Sequence, residues 1–203
     1  HPYFSAEDYI TDGGDRDDFL KAFQPRLGFS YDATGDNRTV VFGGGGLYYD
    51  RTNYNVLLDE KYKVQRPRFT FRFVPPGATP GPGQIEWDPA YLERDNLVAL
   101  IGSAGFPEVF LINNEQDPPY TVQGSLGVRH QIGEYTASVT GTMVNGYNYF
   151  KWIWGNRDPA TNALHFGERG IGAILISSDE VRSWYRALLF QLSKPLAGGA
   201  RWG

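Results

Sequence analysis

The residue types that most often carry catalysis are few and scattered in this sequence. None of the 203 residues is a cysteine, which excludes thiol nucleophiles, thiolate metal sites and disulfides. The histidines, His1, His130 and His165, show no pair at metal-ligand spacing, so structural or surface roles are favoured. Neighbouring acids such as Asp59 and Glu60 do not define the carboxylate separation that glycoside hydrolysis needs. The sequence therefore predicts no enzyme active site, no metal site and no cofactor.

Three other motifs are also interpreted as structural. The run Gly43–Gly46 would suit a phosphate-binding loop, but no Gly-Lys-Ser/Thr follows it and no helix begins after it. Glycines inside a strand instead mark a bend or the close approach of a neighbouring backbone. The acidic segment 15–18 lacks the spacing of a calcium loop, and Ser103 lacks the Gly-x-Ser-x-Gly pattern of a hydrolase nucleophile.

Aromatic residues cluster with Asn and Arg at two places where predicted strands meet long connections. One interpretation is a girdle of amphipathic rings at a membrane interface. The other is a rim whose rings and polar groups contact an incoming solute. We favour the girdle, although the two roles are compatible on opposite faces of one sheet. The candidate rim residues are Tyr48, Tyr49, Arg51, Trp152, Trp154, Asn156 and Arg157.

The elements that would position these residues are strands, because apolar and polar residues alternate with a period of two. Turns at 34–37, 131–133 and 195–199 are short. Connections at about 51–119 and 147–180 are long and irregular. The predicted strands cover about residues 24–33, 39–50, 120–130, 134–145 and 181–194.

The lengths of these strands and connections favour one architecture. About 9–11 residues cross a bilayer at a tilt, and alternating short and long connections are typical of outer-membrane barrels. The predicted fold class is all-β, an antiparallel up-and-down sheet that forms part of a transmembrane β-barrel. Its apolar faces are expected to meet lipid. The polar residues expected to face the lumen are Gln123, Ser125, Arg129, Thr136, Ser138 and Thr140.

Composition excludes two other classes of protein. A formal net charge of -4 offers no basic surface for nucleic acid. The mean hydropathy is -0.41, and no apolar run approaches the roughly 20 residues of a membrane-spanning helix. Aromatic residues make up 15% of the chain, which suits either a membrane girdle or a binding surface.

The longer connection contains predicted elements of its own. Strict alternation over Arg68–Phe73 predicts a short strand. Asp88 followed by Pro89 is a typical start for a helix, which gives a short helix in a long outer loop. The apolar stripe of this helix comprises Ala90, Leu97, Ile101 and Ala104.

Five segments of the sequence carry a recognisable pattern of strands and turns. They are, in chain order, residues 23–32, 34–36, 39–50, 125–128 and 181–199. These segments resemble barrel hairpins of TonB-dependent outer-membrane receptors, most closely the large Oar-like group. This sequence departs from that pattern at Gly45, where such receptors often have an aromatic residue.

The resemblance implies energised import, across the cell outer membrane, of a large scarce solute such as an iron chelate, a glycan or a peptide. The partners that it implies are outer-membrane lipid, the rest of the barrel with its plug domain, and the TonB energy-coupling complex that acts through the plug. The alternative is a soluble, secreted all-β module that binds carbohydrate on aromatic platforms. That alternative does not explain the long strands or the alternating connections.

The ends of the chain suggest a fragment of a longer protein, since there is no initiator Met and the last residues begin another strand. Closed single-chain barrels start at about eight strands. An open sheet edge in lipid also leaves backbone groups unpaired, at several kcal/mol each. Residues 1–203 expressed alone are therefore expected to aggregate or to require the rest of the barrel. A monodisperse, folded monomer with heat-modifiable migration in detergent contradicts this expectation.

Overall fold

The computed structural model describes residues 4–14, 16, 18–52, 54–81, 84–101, 106–195 and 201–202. The chain divides into two compact units, named here the sheet unit and the loop unit. The sheet unit comprises Asp18–Arg51, Asp117–Phe150 and Asp179–Gly203. The loop unit comprises His1–Asp17, Thr52–Gln116 and Lys151–Ser178.

Strands make up most of the regular structure. The strands are β1 (Arg26–Asp32), β2 (Thr39–Tyr49), β3 (Arg72–Val74), β4 (Gln84–Glu86), β5 (Val109–Leu111), β6 (Tyr120–Ile132), β7 (Tyr135–Trp154), β8 (Ile174–Pro195) and β9 (Arg201–Trp202). The α-helices are α1 (Tyr54–Gln65) and α2 (Arg94–Ala99). Single 3-10 turns cover Glu7–Tyr9, Pro89–Leu92 and Gly167–Arg169.

The main sheet places β1, β2, β6, β7 and β8 side by side in that order. The pairs β1–β2, β2–β6 and β6–β7 are antiparallel. In β7, every residue from Tyr135 to Tyr147 has a partner on β6. The predicted antiparallel, all-β fold class is therefore confirmed.

The turn that joins β1 to β2 is stabilised by two carboxylates. Asp32 accepts hydrogen bonds from the backbone N–H groups of Thr34, Gly35 and Asn37 at 3.2, 3.0 and 2.8 Å. Gly35 and Asn37 have positive φ angles of 74° and 60°, which glycine and asparagine tolerate best. A hydrogen bond from the Thr34 hydroxyl lowers the pKa of Asp36. Turn chemistry thus places the hairpin where the sequence predicts it.

One face of this sheet is apolar and open. Directly paired residues share a face, so Val41, Val128 and Val139 form one row across β2, β6 and β7. Leu126 and Val139 are 59% and 40% exposed, and Leu188 on β8 is 62% exposed. These side chains therefore do not converge into a dry interior, as they would in a soluble sandwich.

The other face carries the polar residues predicted for the lumen. Gly127 pairs with Phe42 on one side and with Thr140 on the other. A Cβ atom at Gly127 would lie 2.6 Å from the Phe42 ring and 2.8 Å from the Thr140 hydroxyl. The glycine thus leaves room for these two side chains on the polar face.

The run Gly43–Gly46 lies inside β2, as its structural interpretation requires. A Cβ atom at Gly43, Gly44 or Gly45 would lie 2.7 Å from a carbonyl oxygen of an adjacent strand, and one at Gly46 would lie 2.9 Å from the carbonyl of Pro25. Real Cβ atoms essentially never approach so closely, so only glycine fits this part of the sheet.

Two predicted bounds need correction. The strand predicted at 134–145 continues to Trp154, and the strand predicted at 181–194 begins at Ile174. The connection predicted at 147–180 therefore shrinks to 155–173. Gly155 N–H donates to the Ile174 carbonyl at 2.8 Å, so backbone pairing persists where composition alone indicates a loop. Residues 196–199 of the predicted third turn lie outside the described residues.

The longer connection also differs in detail from its prediction. Asp88 does cap a helix, since its Oδ1 accepts from Ala90 N–H at 2.7 Å, but the helix is a 3-10 turn that ends at Leu92. α2 then begins at Arg94, because Glu93 has extended backbone angles that interrupt the helix. Ala104 of the predicted stripe lies outside the described residues, as do Ser103 and His1. α1 is not among the elements predicted from the sequence.

The strand predicted at Arg68–Phe73 is displaced toward its C-terminal end. β3 runs from Arg72 to Val74 and pairs in parallel with β4. In the first part of the predicted strand, Phe69 forms a single antiparallel β-bridge with Pro107. Phe73 packs against Trp87 and Tyr91, with ring centroids 5.2 and 5.4 Å apart. Phe73 is thus both the middle residue of β3 and a member of this small aromatic cluster.

The loop unit has a small core and one ion pair that ties three segments together. Tyr9, Ile174 and Ile176 are buried against one another. Arg16 donates to both carboxylate oxygens of Glu60 on α1, at 2.8 and 2.9 Å, and to the Ile112 carbonyl at 2.9 Å. Glu60 also accepts from Ile112 N–H at 2.9 Å. The Glu60 carboxylate is thus occupied by structural bonds.

Among the helices that the structure describes, none has the length and apolar character needed to cross a membrane.

The two faces of β7 predict different responses to a new charge. In the full-length protein, Val139→Arg on the apolar face is expected to destabilise the assembled barrel by about 2–4 kcal/mol if residue 139 lies near the bilayer midplane. Thr140→Arg, the adjacent residue on the polar face, serves as the matched control and is expected to have a much smaller effect. The measurement is the folded fraction in outer membranes, read from heat-modifiable migration. Equal losses for the two variants contradict the assignment of faces.

Candidate functional site

Tyr49 belongs to a row of aromatic rings that crosses the sheet unit. It pairs directly with Tyr120, and Tyr120 pairs with Tyr147. The ring centroids are 5.4 and 5.0 Å apart, and Phe19 extends the row at 5.3 Å from Tyr49. Since the register places Tyr49 on the same face as Val41, the aromatic row caps the apolar face at one end.

The distance between this row and the other end of the apolar face matches a bilayer. Tyr135 lies on the same face of β7 as Tyr147, twelve residues earlier. At about 3.3 Å per residue this separation is roughly 40 Å along the strand, or about 30 Å along the normal for a tilt near 40°. Outer-membrane barrels in general have an apolar band about 25 Å tall between two aromatic girdles. This geometry favours the girdle interpretation for Tyr49.

Tyr48 and Arg51 have different surroundings. Tyr48 lies on the polar face, where the Arg26 guanidinium lies 4.5 Å from its ring centroid. Arg51 is exposed just beyond the end of β2. Tyr48 therefore faces away from the apolar surface, and Arg51 lies outside the paired part of β2.

The four remaining candidates lie in the loop unit and have separate roles there. The Trp152 ring packs edge-on against Phe110, with centroids 5.0 Å apart. Trp154 is 45% exposed, and the Arg157 guanidinium lies 4.0 Å from its ring centroid. Asn156 is fully buried. The structure therefore brings Trp154 and Arg157 together, whereas Trp152 and Asn156 pack inside the unit.

Asn156 holds together the backbone of segment 155–173 and the start of β8. Its side-chain amide donates to the carbonyls of His165 at 2.8 Å and Gly172 at 2.7 Å. Its side-chain carbonyl accepts from Ile174 N–H at 2.8 Å. Because these partners occupy the buried amide, the Asn156 side chain is not available for contact with a solute.

Trp154 and Arg157 line a cleft within the loop unit that has a volume of about 520 Å³. We call it the loop cleft. Its charged lining residues are Arg72, Glu108 and Arg157, and its apolar lining includes Phe106, Trp154 and Leu164. Among the described residues, neither Arg72 nor Glu108 has an ion-pair partner. The loop cleft therefore combines charged groups, an aromatic ring and apolar surface within one small volume.

The wall of the loop cleft depends on Gly172. Gly172 N–H donates to the Pro107 carbonyl at 3.0 Å, and Val109 N–H donates to the Ala173 carbonyl at 2.8 Å. A Cβ atom at Gly172 would lie 2.8 Å from the Phe106 carbonyl oxygen. Two backbone segments can thus approach closely enough to pair only because residue 172 is glycine.

Arg72, Glu108 and Gly172 are not among the site residues predicted from the sequence. Arg72 lies in the predicted strand 68–73, where it alternates with Phe71 and Phe73. That alternation is a signal that Arg72 points away from the aromatic rings. No comparable signal exists for Glu108 or Gly172, because their role depends on contacts between distant segments.

No three His, Asp or Glu side chains in the described ranges are grouped so that they could hold a metal ion. His130 is engaged locally, with its Nδ1 2.9 Å from the Thr39 hydroxyl.

A family model described as the outer membrane beta barrel domain matches residues 9–203. The chain belongs to this family. The predicted location in the outer membrane and the predicted barrel fold are confirmed, and the alternative of a soluble carbohydrate-binding module is excluded. No curated protein matches the sequence significantly.

The comparison with solved structures finds similarity to several outer-membrane receptors. The siderophore receptor PirA from Pseudomonas aeruginosa is 16% identical with a TM-score of 0.44, over 86% of this chain and 25% of that chain. A mutant of the ferric enterobactin receptor PfeA from the same organism, in complex with enterobactin, is 15% identical with a TM-score of 0.49, over 88% and 20%. The Serratia marcescens hemophore receptor HasR is 12% identical with a TM-score of 0.43, over 84% and 20%. This chain thus spans a quarter or less of their length.

The role of Asn156 gives a testable prediction for this beta barrel domain. Asn156→Asp replaces the two donors with an acceptor that faces two carbonyl oxygens, at a cost of about 1–3 kcal/mol for each buried group left unsatisfied. We expect local opening of segment 155–173 to become at least about tenfold more frequent. The measurement is the rate of tryptic cleavage at Arg157 and Arg169 in the full-length protein in outer membranes.

The matched control is Asn96→Asp, an exposed asparagine on α2 whose amide donates to a single exposed carbonyl. It should leave cleavage at Arg157 and Arg169 unchanged. If Asn156→Asp also leaves the cleavage rate unchanged, Asn156 does not hold this segment together.

Proposed function

We propose that this chain forms part of the wall and outer loops of a TonB-dependent receptor that imports a large scarce solute, such as an iron chelate, a glycan or a peptide. The observation that carries the proposal is the combination of a two-faced sheet of long antiparallel strands with a separately folded loop unit. A passive wall needs only the sheet. The loop unit adds a cleft with charged and aromatic groups, which is what selective capture requires.

The wall accounts for the lipid partner and for the rest of the barrel. Its exposed apolar face, with Leu126, Val139 and Leu188, suits hydrocarbon. Among the described residues, β1 pairs with β2 alone, so its other edge has free backbone donors and acceptors. In lipid those groups must be satisfied by another strand, which supports pairing with the remainder of a closed barrel. Energy coupling would reach this wall through a plug domain and the TonB complex.

We propose transport and not catalysis for this chain. The side chains that converge in the loop cleft are suited to ion pairing, stacking and apolar contact, which hold a solute without reacting with it. Trp154 and Arg157 are the proposed solute contacts in the loop cleft, and Tyr48 and Arg51 are proposed contacts of the sheet unit. Tyr49 is assigned to the girdle, while Trp152 and Asn156 support the loop unit from within.

The proposal is tested by uptake into cells that carry either the full-length gene or a clean deletion of it. Labelled iron chelates, oligosaccharides and peptides are offered at low concentration, with and without a protonophore. We expect one class to accumulate only in cells with the gene, and to lose that accumulation when the protonophore removes the energy source. Complementation with the intact gene should restore it.

Two outcomes contradict the proposal. Gene-dependent uptake that persists undiminished with the protonophore indicates a passive pore. Equal uptake of all three solute classes by wild-type and deletion cells removes the import role altogether.

A further inference from the structure

Strand β8 places two arginines on the apolar face of the sheet, where a positive charge needs an explanation. The Arg182 guanidinium lies 5.9 Å from the Tyr147 ring centroid, and Arg186 Nη1 donates to the Asn145 side-chain carbonyl at 3.0 Å. Tyr147 and Asn145 share a face of β7 with Val139, because residues an even number of positions apart in a strand point the same way. Arg182 and Arg186 therefore lie on the apolar face.

The two arginines lie at the outer edge of this face. Arg182 contacts the aromatic girdle through Tyr147, and Arg186 reaches Asn145, which is two residues or about 7 Å along the strand from Tyr147. Trp184, on the same face between them, is 74% exposed, as suits an interfacial ring. This end of the sheet leads into the long connection between β7 and β8, and long connections are extracellular in outer-membrane barrels. The arginines thus lie at the headgroup level of the outer leaflet.

Neither arginine has a counter-charge within the described residues. Both residues are exposed, and no ion pair joins either of them to Glu180, an acid on the same face of β8. Arg186 Nη1 also donates to the Tyr185 backbone carbonyl at 2.8 Å, but that group is neutral. A charge that faces lipid is costly unless it is paired. A phosphate group would pair well, since guanidinium and phosphate form strong charge-assisted hydrogen bonds.

An apolar groove begins beside Arg186. It has a volume of about 710 Å³, and we call it the wall groove. Arg186 precedes Leu188 along β8 and lies on the side of the girdle, so a lipid whose phosphate meets Arg186 has its chains directed into the groove. The residues of the apolar face that line it are Gly124, Leu126, Gly141, Met143, Arg186 and Leu188.

The two glycines of the wall groove are not required by backbone packing. A Cβ atom at Gly124 would lie 3.5 Å from Met143 Cγ, and one at Gly141 would lie 3.8 Å from the Leu126 carbonyl oxygen. These are ordinary contact distances, unlike the 2.7 Å at Gly43 on the same face. At Gly124 and Gly141 the absence of a side chain instead keeps the groove open.

We infer that the outer end of the sheet binds a phosphate-bearing membrane lipid, with its headgroup phosphate on Arg182 and Arg186 and an acyl chain in the wall groove. The inference goes beyond the proposed import role and rests on the location of the barrel domain in the outer membrane. Both features are needed to select this occupant. A neutral lipid would fill the groove and leave the charges unpaired, whereas free phosphate would pair the charges and leave the groove empty.

The test uses two lipids that differ only in the phosphate, dioleoyl phosphatidic acid and dioleoylglycerol. Each is titrated into the full-length protein in detergent, and native mass spectrometry of the protein released from micelles counts the retained lipids and gives a Kd. We expect phosphatidic acid to bind more tightly than dioleoylglycerol. Arg186→Gln should raise the Kd of phosphatidic acid by about tenfold, through loss of a charge-assisted contact, and leave that of dioleoylglycerol unchanged.

The matched control is Arg129→Gln. Arg129 is an exposed arginine of the same sheet, but its pairing with Val40 and Ser138 places it on the polar face. This variant should leave both Kd values unchanged. Arg186→Lys keeps the charge and should recover most of the affinity for phosphatidic acid, since an ammonium group also binds phosphate.

Arg182→Gln keeps the test decisive if Arg186→Gln does not fold. Arg182 is exposed and contacts the Tyr147 ring, so its replacement should not affect folding. It is expected to weaken phosphatidic acid several-fold and to spare dioleoylglycerol. Folding of every variant is checked by heat-modifiable migration.

A second pair of variants tests the wall groove. Gly141→Leu places a side chain in the groove and is expected to weaken both lipids, because both carry the same acyl chains. Gly28→Leu is the control, since Gly28 pairs with Gly44 on the polar face and a Cβ atom there would lie 3.7 Å from the Gly43 carbonyl oxygen. It should change neither Kd.

Three results overturn the inference: equal Kd values of the two lipids for the wild-type protein, equal effects of Arg186→Gln and Arg129→Gln on phosphatidic acid, or unchanged binding of both lipids by Gly141→Leu. These results are separable from failure of the proposed function. Energised uptake with arginine-independent lipid binding removes the lipid site and leaves the receptor role intact. Arginine-dependent lipid binding without gene-dependent uptake does the reverse.

Discussion

Backbone hydrogen bonding in an apolar solvent is the constraint on which this structure depends. A strand that lies in hydrocarbon has no water to satisfy its N–H and C=O groups, so each must pair with a neighbouring strand. β6 meets this requirement on both sides, with β2 and β7 as partners along its length. Once the backbone is paired in this way, successive side chains of each strand point to opposite faces of the sheet. One face is therefore apolar and the other polar.

Outside the sheet, paired backbone has to be secured by side chains instead. In the loop unit this is done by Asn156, whose buried amide serves three backbone groups, and by the Arg16–Glu60 pair, which joins an N-terminal segment to α1 and Ile112. Gly172 contributes by having no side chain. The loop cleft exists because these few residues hold irregular backbone in place, while Arg72, Glu108 and Arg157 are left to face its interior.

The sequence was sufficient for the parts of the fold that depend on local pattern. Alternation predicts the five long strands, and the turn residues at 34–37 predict the first turn. Pattern was insufficient where pairing between distant segments decides the structure. β7 extends to Trp154 because its end pairs with residues near Ile174, and Asn156 is buried because three backbone groups converge on it. The loop cleft could not be predicted, since Arg72, Glu108 and Arg157 come from segments that meet only in the folded chain.

The glycine run of β2 has a consequence for how such a protein can diversify. At Gly43–Gly46 any other residue would place a Cβ atom too close to a neighbouring carbonyl oxygen, so substitutions in this stretch are strongly disfavoured. The Arg72 side chain is exposed and forms no ion pair within the described residues, so it is under no such restriction. Exposed positions of the loop unit can therefore accept substitutions that this part of the sheet cannot.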